Sequence, residues 1–426
     1  MTIQELHQHF LDFKLVSTDT RKISKNSIFF ALKGDNFNGN TYAKEALSKG
    51  AILAIVDEKE YANSKDVILV NNVLTTLQQL ANYHRNYCSA KIISITGSNG
   101  KTTTKELIHA VLSTKYKTIA TKGNLNNHIG VPLTLLSIKE DTEIAVVEMG
   151  ANHKKEIAFL CSIAEPDFGY ITNFGKAHLE GFGSLEGVIE GKSELYDFLT
   201  TNKKQIFLNA DDPIQKEKLG NYIQKFGFST TLSDYYKLNL LEANPFVSIQ
   251  VEDTRIDSQL IGKYNFTNCC AAIIMGKYFS VLLPNIKEAI ENYVPENNRS
   301  QIIEKEGCKI ILDAYNANPT SMKAALENFN QIKEDNKILF LGDMFELGSS
   351  AYKEHQNIAD LAEELIFKKV YLIGENFSKT KTKLSTFNSF DTLKVYLEEN
   401  AVPKNTSILI KGSRGMALER ILDLIQ

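Results

Sequence analysis

The run Gly97-Ser98-Asn99-Gly100-Lys101-Thr102-Thr103-Thr104 has the residue types and spacing to cradle the phosphates of a nucleotide. It follows an apolar stretch, Lys91 to Thr96, and leads into a helical pattern from Lys105 to Leu112. Glycines let backbone N–H groups turn toward phosphate oxygens, and a helix N-terminus adds a favourable dipole. In such a loop Lys101 reaches the outer phosphates and the Thr102 hydroxyl meets Mg²⁺. One position departs from the fuller pattern. Ile95 stands six residues before the lysine, where a glycine is common, so the form is G-x-x-G-K-T. A bare G-K-T arises by chance; the strand before it and the helix after it favour nucleotide binding over an ordinary turn.

Other polar groups fall where apolar runs stop. Glu148 ends the run Ile144 to Val147, next to Met149-Gly150. An acidic side chain at such a strand end suits a Mg²⁺ ligand, and the alternative is a cap on the next helix. Gly123-Asn124-Leu125-Asn126-Asn127-His128 is either a solvated Asx-turn cluster or a set of amides for a polar substrate. His178 lies in Asn173-Phe174-Gly175-Lys176-Ala177-His178 after another strand end; a lone histidine is more often structural than a ligand. By composition Lys192, on a helix expected from Leu185 to Leu199 with Glu190 and Glu194 nearby, reads as a surface lysine. Three further loops end strands of the last third: Asp313-Ala314-Tyr315-Asn316-Ala317-Asn318-Pro319-Thr320-Ser321, Gly342 to Gly348, and Lys411-Gly412-Ser413-Arg414-Gly415. Together they should meet along one sheet edge.

The elements that must position these groups form an α/β chain in three units. Residues 1–85 make a small α/β N-terminal domain. Residues 86–296 alternate strands and helices as a central P-loop ATPase-type parallel sheet, with a strand-rich portion from Asn221 to Leu260 and a helix from Asn268 to Phe279. Residues 297–426 form a Rossmann-like α/β unit whose last helix is expected from Met416 to Leu424.

The bulk numbers fit this division. A chain of 426 residues is too long for one core. A content of 43% hydrophobic and 23% charged residues is that of a globular protein. The net charge of −3 argues against sequence-independent nucleic-acid binding. The N-terminus has no charged head with an apolar stretch, and no long apolar run appears, so a cytoplasmic protein without membrane insertion is expected. The five cysteines lack C-x-x-C spacing and read as free buried thiols.

With these residues in view, the chain resembles the Mur ligase family over essentially its whole length. Family-wide marks are Thr96 to Thr103, Glu148, Asn173 with His178, and the stretch Gly262 to Asn268. Gly123 to Asn127 with Ile129-Gly130-Val131-Pro132, and Tyr315-Asn316-Ala317-Asn318-Pro319, are closer to the branch that adds a dipeptide. Asp19-Thr20-Arg21 ahead of Phe29 to Gly34 agrees. The resemblance implies ATP-dependent joining of D-alanyl-D-alanine to UDP-N-acetylmuramoyl-tripeptide through an acyl phosphate, as a step of peptidoglycan synthesis, by a monomer.

Residue roles come with the same resemblance. Gly97, Ser98, Asn99, Gly100, Lys101, Thr102 and Thr103 would hold the ATP phosphates, and Asn265 and Asn268 the adenine side. Arg299 and Asp313 would contact ATP from the last unit. Thr102 and Glu148 would hold Mg²⁺, with His178 at a second metal site. Lys192 matches a position that carries CO₂ as a carbamate, which reverses its reading by composition. Asn316 and Lys101 join His178 and Lys192 as catalytic groups. Asn124, Asn126, Asn127, Tyr315, Asn318 and Ser321 would face the peptide substrates, and Asp19, Thr20, Arg21, Lys33 and Gly34 the UDP end. Tyr264, His128 and Ser193 depart from residues common in the family (His, Glu and Gly) and leave the adenine pocket and loop contacts open. A different ligase of the same superfamily, or a nucleotide switch without ligation, is the competing reading. The Tyr315 to Pro319 run speaks against the first, and the joint presence of Glu148, His178 and Lys192 against the second.

Overall fold

Residues 1–296 and 298–425 are described by the computed structural model. The expected start of the last unit, Asn297, lies outside the described residues, and the expected boundary after residue 85 falls inside the helix Val73–Tyr87. Three main sheets follow in chain order. The first is parallel, with strands Val16–Ser17, Ile28–Phe30, Leu53–Val56 and Val67–Leu69 side by side in that order. A short hairpin, Lys33–Gly34 with Phe37–Asn38, stands apart from it.

The second sheet carries the phosphate loop. Seven of its nine strands run parallel, and the last two, Phe246–Val251 and Thr254–Ile261, continue it antiparallel. The strand Lys91–Thr96 lies between Phe168–Ile171 and Ile144–Glu148. Its residues Ile92 to Thr96 and all of Ile144–Glu148 are buried, as strands covered by helices on both faces must be. Polar loops at the carboxyl ends of these neighbours therefore open onto one crevice. The third sheet is parallel apart from its first strand, Gln301–Lys305; Ser407–Lys411 sits between Cys308–Asp313 and Lys337–Gly342.

Two sequence expectations change. The segment after Ser413 forms 3₁₀ turns, Arg414–Met416 and Leu418–Leu424, in place of an α-helix. The helix expected from Asn268 begins at Tyr264, so Asn265 and Asn268 stand three apart and share a face. The five cysteines are free and buried, as expected. Among the described residues, no helix is long and apolar enough to cross a membrane.

The N-terminal helix Ile3–Phe13 is tied to Val73–Tyr87 through a buried histidine pair. His7 Nε2 lies 3.0 Å from His84 Nδ1, and His84 Nε2 lies 2.8 Å from the Ile138 carbonyl. The network assigns both rings as neutral, His84 donating to Ile138 and accepting from His7. Burial, helped by His84, pulls His7 down to about 4, and burial also lowers His84. The folded value lies below the unfolded one. Stability from neutral His7 is therefore complete above about pH 6.5 and is lost as pH falls toward 4, by roughly 2 kcal/mol at pH 5, and His84 acts in the same direction. Urea unfolding at pH 7, 6 and 5 should show this loss, and His7→Phe should flatten it. An unchanged slope in that variant would refute the assignment.

Candidate active site

The phosphate loop is shaped by its own backbone and by the neighbouring strand's loop. Gly97 has φ +139° and Gly100 φ +78°, both in the region that glycine tolerates. Ser98 N–H donates to the Asn173 carbonyl at 3.0 Å, and Asn99 N–H to Asn173 Oδ1 at 3.1 Å. Asn173 Nδ2 and Thr172 Oγ1 both donate to the Asn99 carbonyl. Lys101 opens the helix Lys101–Ser113, and its ammonium folds back on the Gly97 carbonyl at 2.7 Å. Desolvation lowers the Lys101 pKa, and Glu148 partly counters it.

Glu148 faces this loop because of register. It pairs with Ile95 across the two parallel strands, just before Gly97. Its Oε1 accepts from Asn126 Nδ2 at 2.8 Å. Its Oε2 is buried without a hydrogen-bond partner. The Lys105 ammonium lies 3.8 Å from it, beyond hydrogen-bond reach, and a buried carboxylate oxygen so placed is costly unless a cation meets it at closer range. Thr102 of the loop helix is buried and lines the same cleft as Glu148. One carboxylate and one hydroxyl next to a phosphate cradle are the donor set that suits Mg²⁺, which takes its remaining ligands from phosphates and water. Among the described residues, no group of three or more His, Cys, Asp or Glu converges as a protein-only metal cage.

A cleft of about 830 Å³ joins these groups to the last unit. Its walls bring together Ser98 to Thr103, Asn124, Asn126, Asn127, Glu148, His178, Asn265, Asn268, Arg299, Asp313, Tyr315, Asn316, Asn318 and Ser321. Asp19, Thr20, Arg21, Lys33 and Gly34 stand apart in the first unit. There Asp19 accepts from the Arg21 backbone and guanidinium, and Lys33 pairs with Asp57 and Glu58. Gly97 underlies the cleft without lining it. Lys192 also lies behind the wall.

Lys192 is fully buried on the helix Leu185–Thr201, and its Nζ donates to the Ala151 carbonyl at 2.9 Å. Burial, reinforced by Lys101, pushes its ammonium well below the ordinary lysine range. The surface lysine suggested by composition is thus corrected. The helix turns this residue inward, and the carboxylates of Glu190 and Glu194 are taken by Lys154 and by the backbone N–H groups of Lys155 and Ala158.

Several amides have local duties. Asn265 Oδ1 accepts from Asn268 Nδ2, and Asn268 Oδ1 accepts from Thr104, a buried chain behind the loop. Asn127 caps the helix Gly130–Leu135. Asn318 and Ser321 form a capping box at the start of the helix Pro319–Gln331. Asn318 Nδ2 also donates across the cleft to Asn99 Oδ1 at 2.7 Å.

Further contacts close the cleft from the last unit. His178 Nδ1 lies 2.5 Å from Glu346 Oε2, and Lys176 pairs with the buried Glu354 at 2.6 Å. The Arg299 guanidinium stacks 3.6 Å above the Tyr315 ring. Asp313 is held by Lys411 at 2.5 Å. Ser300, Lys154 and Lys155 also line the cleft and carried no functional reading from sequence, while Tyr264 was singled out only as a departure from the family's His. Thr320 and Lys411, which also line the cleft, each had a signal, a polar loop at a strand end.

A glycine loop leading into a helix at a strand-order switch, faced by a second α/β unit, defines the class of phosphate-binding α/β enzymes. Three family models match in succession: "Mur ligase family, catalytic domain" over residues 12–96, "Mur ligase middle domain" over 95–276, and "Mur ligase, glutamate ligase domain" over 298–414. The UDP-N-acetylmuramoyl-tripeptide–D-alanyl-D-alanine ligase of Bacillus subtilis (strain 168) is 37% identical, over 96% of this chain and 93% of that protein. The Escherichia coli (strain K12) ligase of the same name is 31% identical, over 99% and 96%. Among solved structures, MurF from Acinetobacter baumannii matches with a TM-score of 0.87 at 29% identity, over 99% of this chain and 98% of the other. MurF ligase from Thermotoga maritima, solved in complex with ADP, gives a TM-score of 0.84 at 27% identity over 97% of each chain. The chain belongs to the Mur ligase family.

Proposed function

We infer that this chain is an ATP-dependent amide-bond-forming ligase that joins D-alanyl-D-alanine to UDP-N-acetylmuramoyl-tripeptide, giving the pentapeptide precursor of peptidoglycan. The observation that carries the reading is the cleft itself, where the phosphate loop, Glu148 and the Tyr315 to Ser321 loop face one another. The full-length similarity to ligases with this printed activity supports it.

In this reading a carboxylate oxygen of the tripeptide attacks the γ-phosphorus of ATP, and the bond to the leaving ADP breaks. The amine of D-alanyl-D-alanine then attacks the acyl carbon, loses a proton, and expels phosphate as the amide forms. Two anionic reactants must meet, so fixed donors and cations matter most. Loop N–H groups and Lys101 hold the phosphates. Asn265 and Asn268 border the adenine side, with Arg299 on Tyr315 and Asp313 on Lys411 closing from the last unit. Thr102 and Glu148 would hold Mg²⁺, and His178 with a carbamylated Lys192 a second ion; a bound ion would neutralise charge on the transferring phosphoryl group. Asn316, Asn124 and Tyr315 border the space for the reacting carboxylate and the dipeptide. The first unit, with Arg21 exposed and Lys33 at its hairpin, would take the UDP end. Contacts of Asn318 with Asn99 and of Glu354 with Lys176 would exclude water from the acyl phosphate. A cytoplasmic monomer fits soluble nucleotide-linked substrates.

Phosphate release from ATP and Mg²⁺ should require both the UDP-muramoyl tripeptide and D-alanyl-D-alanine, and mass spectrometry should find the pentapeptide. ATP turnover indifferent to both substrates would sink the ligase reading.

A further inference from the structure

A second buried lysine stands on the loop helix, one turn after Lys101. Lys105 is 2% exposed. Its Nζ donates to the Thr121 carbonyl at 2.7 Å and lies 3.8 Å from Glu148 Oε2. A second carboxylate, Glu106, is 3.7 Å away, but it also accepts from the Tyr293 hydroxyl. Thr121 ties the pair together, because its hydroxyl accepts from the Glu148 backbone N–H at 2.9 Å. The Glu148 oxygen that no hydrogen bond satisfies is thus the one that faces a buried ammonium.

That placement has a consequence for metal binding. An ion bonded to Oε2 at about 2.1 Å lies no farther than about 6 Å from the Lys105 ammonium. Lys101 adds a second positive charge at the same loop. In a dry crevice such like charges repel a bare divalent cation strongly, whereas a triphosphate brings enough negative charge to reverse the balance.

We propose that Lys105 is a specificity-determining residue for the metal: its charge balances Glu148 in the nucleotide-free protein, so that the site takes a divalent cation with the nucleotide and not alone. The inference rests on the reading of Glu148 as a metal ligand. Lys105 does not line the cleft; it acts through Glu148.

Lys105→Gln separates charge from scaffold, since the amide can still donate to the Thr121 carbonyl. Mn²⁺ binding without nucleotide is followed by electron paramagnetic resonance and calorimetry. The wild type should leave millimolar Mn²⁺ free, and Lys105→Gln should bind it at least about tenfold more tightly. The gain should vanish in the double variant Lys105→Gln/Glu148→Gln. A purely structural lysine would give no gain, and that result overturns the proposal. The Mg²⁺ dependence of ADP binding in Glu148→Gln tests the underlying reading by itself. If that dependence is unchanged, Glu148 is no ligand. If it weakens while Lys105→Gln gains nothing, only the role of Lys105 falls. Should Lys105→Gln fail to fold, the wild type still decides. A rise in its melting temperature with Mn²⁺ alone, absent in Glu148→Gln, would overturn the proposal, and no rise would support it.

Discussion

Lys192→Ala should cut ligation by at least about a hundredfold while ADP binding stays within a few-fold of wild type. The expectation comes from the surroundings of the amine. Its Nζ has one hydrogen-bond partner, the Ala151 carbonyl, and lies 4.9 Å from the centre of the Phe182 ring. An ammonium has three donors, so as a cation this group would be buried and under-satisfied. Burial and the nearby Lys101 favour the neutral amine. A neutral amine can add CO₂ and release a proton, and the carbamate would then present a negative charge and two oxygen acceptors beside a phosphate loop. The substitution removes that anion and leaves the nucleotide cradle intact. A structural lysine would instead lower stability and leave turnover per folded molecule unchanged. Near-normal ligation in the variant, or no carbamyl carbon signal after labelling the wild type with isotopic CO₂, would end the carbamate reading.

The second large effect is expected at Gly97. Its φ of +139° is one that L side chains rarely adopt, and an added Cβ would meet Thr172 Oγ1 at 2.0 Å and Thr172 N at 3.0 Å. The strand Phe168–Ile171 pairs directly with the loop strand, so neither backbone can retreat without breaking the ladder. Gly97→Ala should therefore lose roughly 2–4 kcal/mol of stability and bind ADP at least about a hundredfold more weakly. Gly123→Ala is the comparison. That glycine also has positive φ, but nothing lies within 4 Å of its would-be Cβ, so the cost should be about 1 kcal/mol. Thermal unfolding with and without ADP reads both terms. Equal behaviour of the two variants would show that the close approach to Thr172 does not shape the cradle.

Sequence by itself determined the local parts of this protein. The strand, glycine loop and helix around Lys101 are legible because an apolar run, two glycines and a helical period are written in adjacent residues. Glu148 was legible for the same reason, as an acidic residue ending an apolar run, and so was the alternation of strands and helices that builds the sheets. Resemblance added residue roles that no spacing contains. The tertiary structure alone decided which groups meet. Glu148 faces the loop because Ile144–Glu148 pairs with Lys91–Thr96 in a register that sets it against Ile95, although those strands are not consecutive in the chain. The contacts of Asn126 with Glu148, Asn99 with Asn318, and His178 with Glu346 join residues far apart in the chain, so no periodicity predicts them. Lys105 and Lys192 were the least legible. A lysine in a charged helix looks solvated in sequence, because the cost of burying it is offset only by groups supplied from elsewhere: the Thr121 carbonyl and Glu148 for one, the Ala151 carbonyl for the other.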